Sequence, residues 1–287
     1  MNQSPKLRRS VLYMPGSNAR ALEKARSLDA DVLILDLEDA VAPESKGIAR
    51  QQVSEAVGAE AFGHREVVIR INALDTQWGL ADLEAAAAAR PNAVLLPKVE
   101  TRHQLIDARD RLIAAGGNSQ QKFWMMAETP RGILDLDDIC AAPGLDVVVM
   151  GTSDLGKELR VSTAQPRTGL LGTLSHSILV ARAHGLDILD GVYPGIDADA
   201  DFRGSCEQGA VLGFDGKTLI HPLQIEIANE IFGVSEAQAM HAEAMLTAWQ
   251  KARDAGEGIA VHKGKLIEQL HIDEAKRILA LYYAASK

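Results

Sequence analysis

Val32-Leu33-Ile34-Leu35-Asp36-Leu37-Glu38-Asp39 is an apolar run that turns acidic at its end. A short run rich in Val, Ile and Leu reads as a strand buried on both faces, as in parallel sheets. The same form recurs on either side of it. Val11-Leu12-Tyr13-Met14 comes before. Residues 67–71, holding Arg70, come after, followed by Val94-Leu95-Leu96 running into Pro97-Lys98. Residues 123–127 run into Glu128, residues 147–150 into Gly151 and Asp154, Ile188-Leu189 into Asp190, and Leu219-Ile220 into His221. The segments between are mostly Ala-rich with charged faces, as amphipathic helices are. Eight strands alternating with helices predict an α/β fold, a (β/α)8 TIM barrel, whose chemistry gathers at the C-terminal ends of the strands.

The chain of 287 residues suits one such barrel with a short extension. The reading assigns residues 1–233 to a catalytic barrel and 234–287 to a C-terminal helical extension or lid. A net charge of -9 argues against a nucleic-acid partner, which needs a basic patch. No apolar stretch reaches the roughly 18 residues of a membrane span, so no membrane partner is expected. The polar start, residues 1–9, does not read as a secretory signal. Cys140 and Cys206 are far apart and suggest neither a disulfide framework nor a thiolate metal site. A cytoplasmic setting is expected, which makes the Asn2-Gln3-Ser4 sequon meaningless.

After the first strand, Pro15-Gly16-Ser17-Asn18 leads into a helix expected over residues 19–28. Arg20 and Lys24 share one face of it, either as solvated charges or as a site for an anion over the barrel mouth. Helices are also expected over residues 82–90, stopped by Pro91, and 101–115, closed by Gly116-Gly117. Ser235-Glu236-Ala237-Gln238 is a capping box opening a helix to about Ala255, ended by Gly256-Glu257-Gly258. Residues 259–268 suggest two short strands around Lys263-Gly264, and residues 272–283 a last helix. This tail reads as too small for a core of its own, and is expected to pack on the barrel or on a neighbouring subunit.

Side chains alternate along a strand, so Asp36 and Glu38 share a face with Ile34, and Arg70 and Asn72 share one with Val68. Charges beside buried apolar groups are costly unless paired or bound to something. An Asp36–Arg70 salt bridge is one reading, a binding site the other. Glu128 and Asp154 end consecutive strands about 5 Å apart, so their carboxylates can converge on one cation. Two carboxylates, with the remaining positions left to water and substrate, is a magnesium arrangement. The alternative is that each caps a helix, Glu128 through Thr129-Pro130 and Asp154 at the start of a helix over 155–159. Gly213-Phe214-Asp215-Gly216-Lys217-Thr218 lacks the spacing of a phosphate loop and precedes a strand rather than a helix.

Six segments then carry a family resemblance. They are residues 10–16 (SVLYMPG), 35–43 (LDLEDAVAP), 70–72 (RIN), 96–98 (LPK), 128–132 (ETPRG) and 220–222 (IHP). In this order they resemble the citrate lyase beta-subunit-like (CitE-like) branch of the HpcH/HpaI aldolase/citrate lyase family, over nearly the whole chain. The resemblance implies a trimeric or hexameric TIM barrel and magnesium-dependent cleavage or formation of a 3-hydroxyacyl-CoA. It implies that Glu128 and Asp154 are the metal ligands and that Arg70 holds the thioester and its enolate. It implies coenzyme A contacts at Arg20 and Lys24 and at Ile220 and His221. Two departures stand out. Many relatives have Glu-Asp-Leu where this chain has Ser153-Asp154-Leu155, and a tail Gly-Lys-Met-Ile-Asp where it has Gly264-Lys265-Leu266-Ile267-Glu268. That tail carboxylate serves a neighbouring subunit as acid/base, which makes Glu268 the fourth candidate catalytic residue. The expected activity is cleavage of (S)-citramalyl-CoA to acetyl-CoA and pyruvate, or of L-malyl-CoA to acetyl-CoA and glyoxylate. Alternatives are the citryl-cleaving beta subunit of a citrate lyase complex, a CoA-free class II aldolase, and a non-catalytic binding subunit.

Overall fold

The computed structural model describes residues 6–162, 164–256 and 259–285. The Asn2-Gln3-Ser4 sequon and the Glu257-Gly258 part of the expected helix stop lie outside these residues. The chain divides into two compact units, residues 8–228 and a second beginning at Asn229.

In the first unit, β1 (Ser10–Pro15), β2 (Val32–Asp36), β3 (Glu66–Arg70), β4 (Ala93–Leu96), β5 (Lys122–Ala127), β6 (Leu145–Met150), β7 (Asp187–Asp190) and β8 (Gly216–Leu219) form a closed barrel in sequence order. Each strand pairs in parallel with the next, and β8 returns to β1. The helices between are α1 (Ala19–Ala25), α2 (Lys46–Gly58), α3 (Gly79–Ala89), α4 (Arg102–Ala114), α5 (Pro130–Leu134), α6 (Leu136–Cys140), α7 (Thr152–Glu158), α8 (Pro166–Ala183) and α9 (Ala200–Leu212). After β8, α10 (Ile225–Ile231) follows a short 3-10 turn, Pro222–Gln224. Among the described residues no helix is long and apolar enough to cross a membrane.

Alternation explains why these strands read as continuous apolar runs. Val32 and Ile34 point into a barrel core shared with Val11, Val68, Leu95, Trp124 and Val149. Leu33 and Leu35 point the other way and are equally buried. At the N-terminal end of the barrel, Arg8 donates to Glu66 (2.8 Å), Asp146 (2.6 Å) and Asp187, with its guanidinium 5.0 Å from the Trp124 ring. This buried cation joins β3, β6 and β7 at the N-terminal face of the barrel.

Several elements differ from the sequence expectation. The first helix stops at Ala25 rather than 28, and α3 begins three residues early at Gly79. The last strand begins at Gly216, because Lys217 is fully buried and its Nζ pairs with the Asp190 carboxylate at 2.8 Å. A lysine in that setting hides a strand from any reading based on apolar runs. Cys140 and Cys206 are both free and buried.

The second unit holds α11 (Glu236–Asp254), an antiparallel hairpin of β9 (Ala260–His262) and β10 (Lys265–Ile267), and α12 (Gln269–Ala285). Ser235 caps α11 and accepts from the Gln238 N–H, while its own N–H donates to Gln238 Oε1 at 2.8 Å. Lys263 and Gly264 both have positive φ, 49° and 74°, as a tight two-residue hairpin turn requires. The expectation of a tail without a core is corrected here. Ala252, Ala260, Ile267 and Ile272 form a small buried cluster flanked by Met245, Leu246, Ala248 and Trp249.

Candidate active site

The C-terminal ends of the strands enclose a cavity of about 340 Å³, lined among others by Tyr13, Asp36, Arg70, Glu128, Asp154 and Ile220. Arg70 ends β3 directly beside Asp36 at the end of β2. Its Nε donates to Asp36 Oδ1 at 2.7 Å and its Nη2 to Oδ2 at 2.6 Å, and Nη1 lies 2.9 Å from Glu38 Oε2. The Tyr13 ring packs 4.8 Å from the guanidinium. The salt-bridge reading of Asp36 with Arg70 therefore describes a real pair, and the same pair borders the cavity. A guanidinium has five N–H donors in a rigid fork. Two are taken by Asp36, and Nη1 is ion-paired to Glu38 without a hydrogen bond, so both N–H groups of Nη1 and one of Nη2 are left for a ligand. Asp36 is itself fixed, accepting from the Glu38 N–H (2.9 Å) and the Ala40 N–H (3.0 Å).

Glu128 follows β5 and is 3% exposed. Its Oε1 accepts from the Lys98 N–H at 2.7 Å, leaving Oε2 for a ligand. Lys98 adopts a left-handed φ of 51° to make this bond, a conformation that costs a non-glycine residue. Its Nζ reaches Glu38 at 3.0 Å, so one residue joins the Arg70 side of the mouth to the Glu128 side. Burial pushes the Glu128 carboxyl up to about 7, and the nearby carboxylates of Glu38 and Asp154 push the same way. Burial likewise raises Glu38.

Asp154 lies in the first turn of α7, where the helix dipole favours an anion. The capping alternatives for both carboxylates are overturned. The cap before α5 is Thr129, whose side chain accepts from the Gly132 N–H at 3.0 Å, and the residue before α7 is Gly151. Gly151 has a steric role instead, because a Cβ there would sit 2.3 Å from the Glu128 Cβ and 2.6 Å from its Oε2. Among the described residues no three His, Cys, Asp or Glu side chains gather as a metal cage. Two carboxylates alone fit a hard cation that keeps water or substrate oxygens in its remaining positions.

Arg20 and Lys24 are exposed on α1. Ile220 is 39% exposed and lines the mouth. His221 caps the 3-10 turn, its Nδ1 accepting from the Leu223 N–H at 3.3 Å. Glu268 belongs to the second unit, where its N–H donates to His271 Nδ1 at 2.9 Å. Sequence reasoning missed several supporting groups. Lys46 Nζ donates to the Leu37 and Glu38 carbonyls (2.8 and 2.7 Å) and to Asn72 Oδ1 (2.8 Å). Asn72 in turn donates to the fully buried Asp82 at 2.6 Å, which also pairs with Arg50. Gln224 is fully buried and accepts from the Ile220 N–H at 3.1 Å. Lys46, Asp82 and Gln224 lie away from the strand ends, so the strand-end rule passed over them.

The chain is 46% identical to a (3S)-malyl-CoA thioesterase of Cereibacter sphaeroides over 272 residues, 95% of this chain and 93% of that one. It is 32% identical to citrate lyase subunit beta of Escherichia coli, over 95% of this chain and 92% of that one. Among solved structures, CitE of Mycobacterium tuberculosis in complex with magnesium, acetoacetate and coenzyme A superposes with a TM-score of 0.77 at 27% identity, covering 96% and 97% of the two chains. Residues 9–222 match the family described as HpcH/HpaI aldolase/citrate lyase, and the chain belongs to that family.

Proposed function

We propose that this chain is a magnesium-dependent enzyme acting on a short 3-hydroxyacyl-CoA of the malyl or citramalyl type. The reading rests on one observation, the fixed Arg70 fork bordering the same cavity as Glu128 and Asp154. In carbon–carbon cleavage the substrate hydroxyl loses its proton and the C2–C3 bond breaks. A 2-oxo acid leaves, and the thioester fragment becomes an enolate that is protonated to acetyl-CoA. The N–H groups of Arg70 that Asp36 leaves open stabilise the oxygen on which that negative charge develops. Asp36 keeps the fork from turning, and Tyr13 closes its apolar face. Glu128 and Asp154 would hold magnesium, which supplies a Lewis acid and a template for the hydroxyl and carboxylate of the substrate. Glu268, from a neighbouring copy in a homotrimer or hexamer, would carry the proton to the enolate carbon. Arg20, Lys24, Ile220 and His221 would hold the coenzyme A portion.

A second reading is thioester hydrolysis, favoured by the 46% identity to malyl-CoA thioesterases. There water adds to the thioester carbonyl and the C–S bond breaks, with the same Arg70 donors on the oxyanion. Products separate the readings. Purified protein with magnesium and malyl- or citramalyl-CoA is expected to release acetyl-CoA with glyoxylate or pyruvate, read by mass spectrometry. Free coenzyme A with malate or citramalate would replace this with the hydrolytic reading, and no turnover of any 3-hydroxyacyl-CoA would overturn both.

A further inference from the structure

A second cavity of about 680 Å³, twice the volume of the mouth, lies beside it between α7, α8, the loop after β7 and α9. Thr152, Ser153 and Val192 line both spaces and form their common border. Beyond that border the wall is mostly apolar, with Val161, Leu170, Tyr193 and Pro194. The Tyr193 ring stands edge-on to Phe202, with centroids 5.7 Å apart. Arg167 also lines the cavity, its Nη1 donating to Asp190 at 2.7 Å and its Nε to Gln208, while its buried Nη2 has no hydrogen-bond partner.

Two helical glycines open onto the same space. A Cβ at Gly204 in α9 would meet nothing within 4 Å, and one at Gly156 in α7 would meet only Leu170 Cδ1 at 4.0 Å. Glycine inside a helix is unfavourable relative to alanine, and no close neighbour requires it at either position. What the two glycines preserve is room. The cavity follows α7 from Thr152 to Lys157, more than one helical turn away from the mouth.

We propose that this cavity is a subsite for an aliphatic branch on the oxo-acid part of the substrate, longer than the single methyl that distinguishes citramalyl-CoA from malyl-CoA. The inference rests on the active-centre reading above, since the two spaces adjoin across Thr152, Ser153 and Val192. An apolar branch entering it leaves water for an apolar wall, and each buried methylene then strengthens binding by about fourfold.

The test is calorimetric titration of the full-length protein, with magnesium, by glyoxylate, pyruvate, 2-oxobutyrate and 2-oxohexanoate. Affinity is expected to rise by about fourfold per methylene from pyruvate onward. Gly204→Leu fills the space without touching the mouth and should lower the 2-oxohexanoate-to-pyruvate affinity ratio at least tenfold. Circular dichroism confirms that the variant is folded, and Gly156→Val provides a second filling from the opposite wall. A series that is flat or falls beyond pyruvate, or a ratio unmoved by both fillings, overturns the subsite while leaving the active centre standing. Failure of every oxo acid to bind would sink the active centre and the subsite together.

Discussion

The burial that aims Glu128 also favours its protonated form. With its carboxyl pushed up to about 7, the group must lose a proton before it can take a cation. Its protonated form dominates below that value, so magnesium affinity should fall as the pH drops through 7, approaching tenfold per unit. Titrations at pH 6 and pH 8 in buffers of different ionisation enthalpy should show nearly one proton released at the lower pH and little at the higher. Glu128→Gln should abolish both the binding and its proton linkage. An affinity that does not change with pH would contradict the assignment of Glu128 as ligand. The chain order alone made Glu128, Asp154 and Arg70 visible, because each sits where an apolar run ends. Lys98 was visible only as a strand-end cation. That its main-chain N–H holds Glu128, and its ammonium Glu38, required the left-handed turn to be seen.

At the level of elements, the junction of β6 and α7 brings the two carboxylates together. Gly151 lets Glu128 lie across the start of the helix that carries Asp154. Gly151→Ala should push Glu128 aside and weaken magnesium binding at least tenfold, with the barrel still folded by circular dichroism. Gly172→Ala in α8, where a Cβ meets nothing within 4 Å, is the matched control and should bind magnesium as wild type does. Equal affinities for the two variants would remove the steric argument. The sequence marked both carboxylates but left open whether each capped a helix. Thr129 and Gly151 occupy those positions, and which residue takes the cap depends on where the chain turns after each strand.

For the whole molecule, we propose that one chain's second unit serves another chain's barrel. Arg70→Ala and Glu268→Gln should each be nearly inactive, the second with its magnesium affinity preserved. Mixed after dissociation and reassembly, the two should regain part of the wild-type turnover, because some sites would combine an intact Arg70 with an intact Glu268. No recovery despite demonstrated subunit exchange would mean that Glu268 does not act across subunits.

The eight apolar runs, some only two residues long, predicted the barrel, since a strand covered on both faces is apolar at most positions. The same runs marked where most of the site's charge would collect, because an unpaired charge is least costly where a strand leaves the core. The tertiary structure alone decided what those charges do. Closing the barrel set Asp36 beside Arg70 in register, turned Lys98 left-handed onto Glu128, and buried Lys46 and Asp82 behind the loop after β2. It also buried Lys217 against Asp190, so that a charge inside a strand escaped the reading. The physical reason is common to all of them: burial patterns are periodic along the chain and can be counted, whereas the partner of a buried charge comes from another strand, at a distance in sequence that no local pattern records.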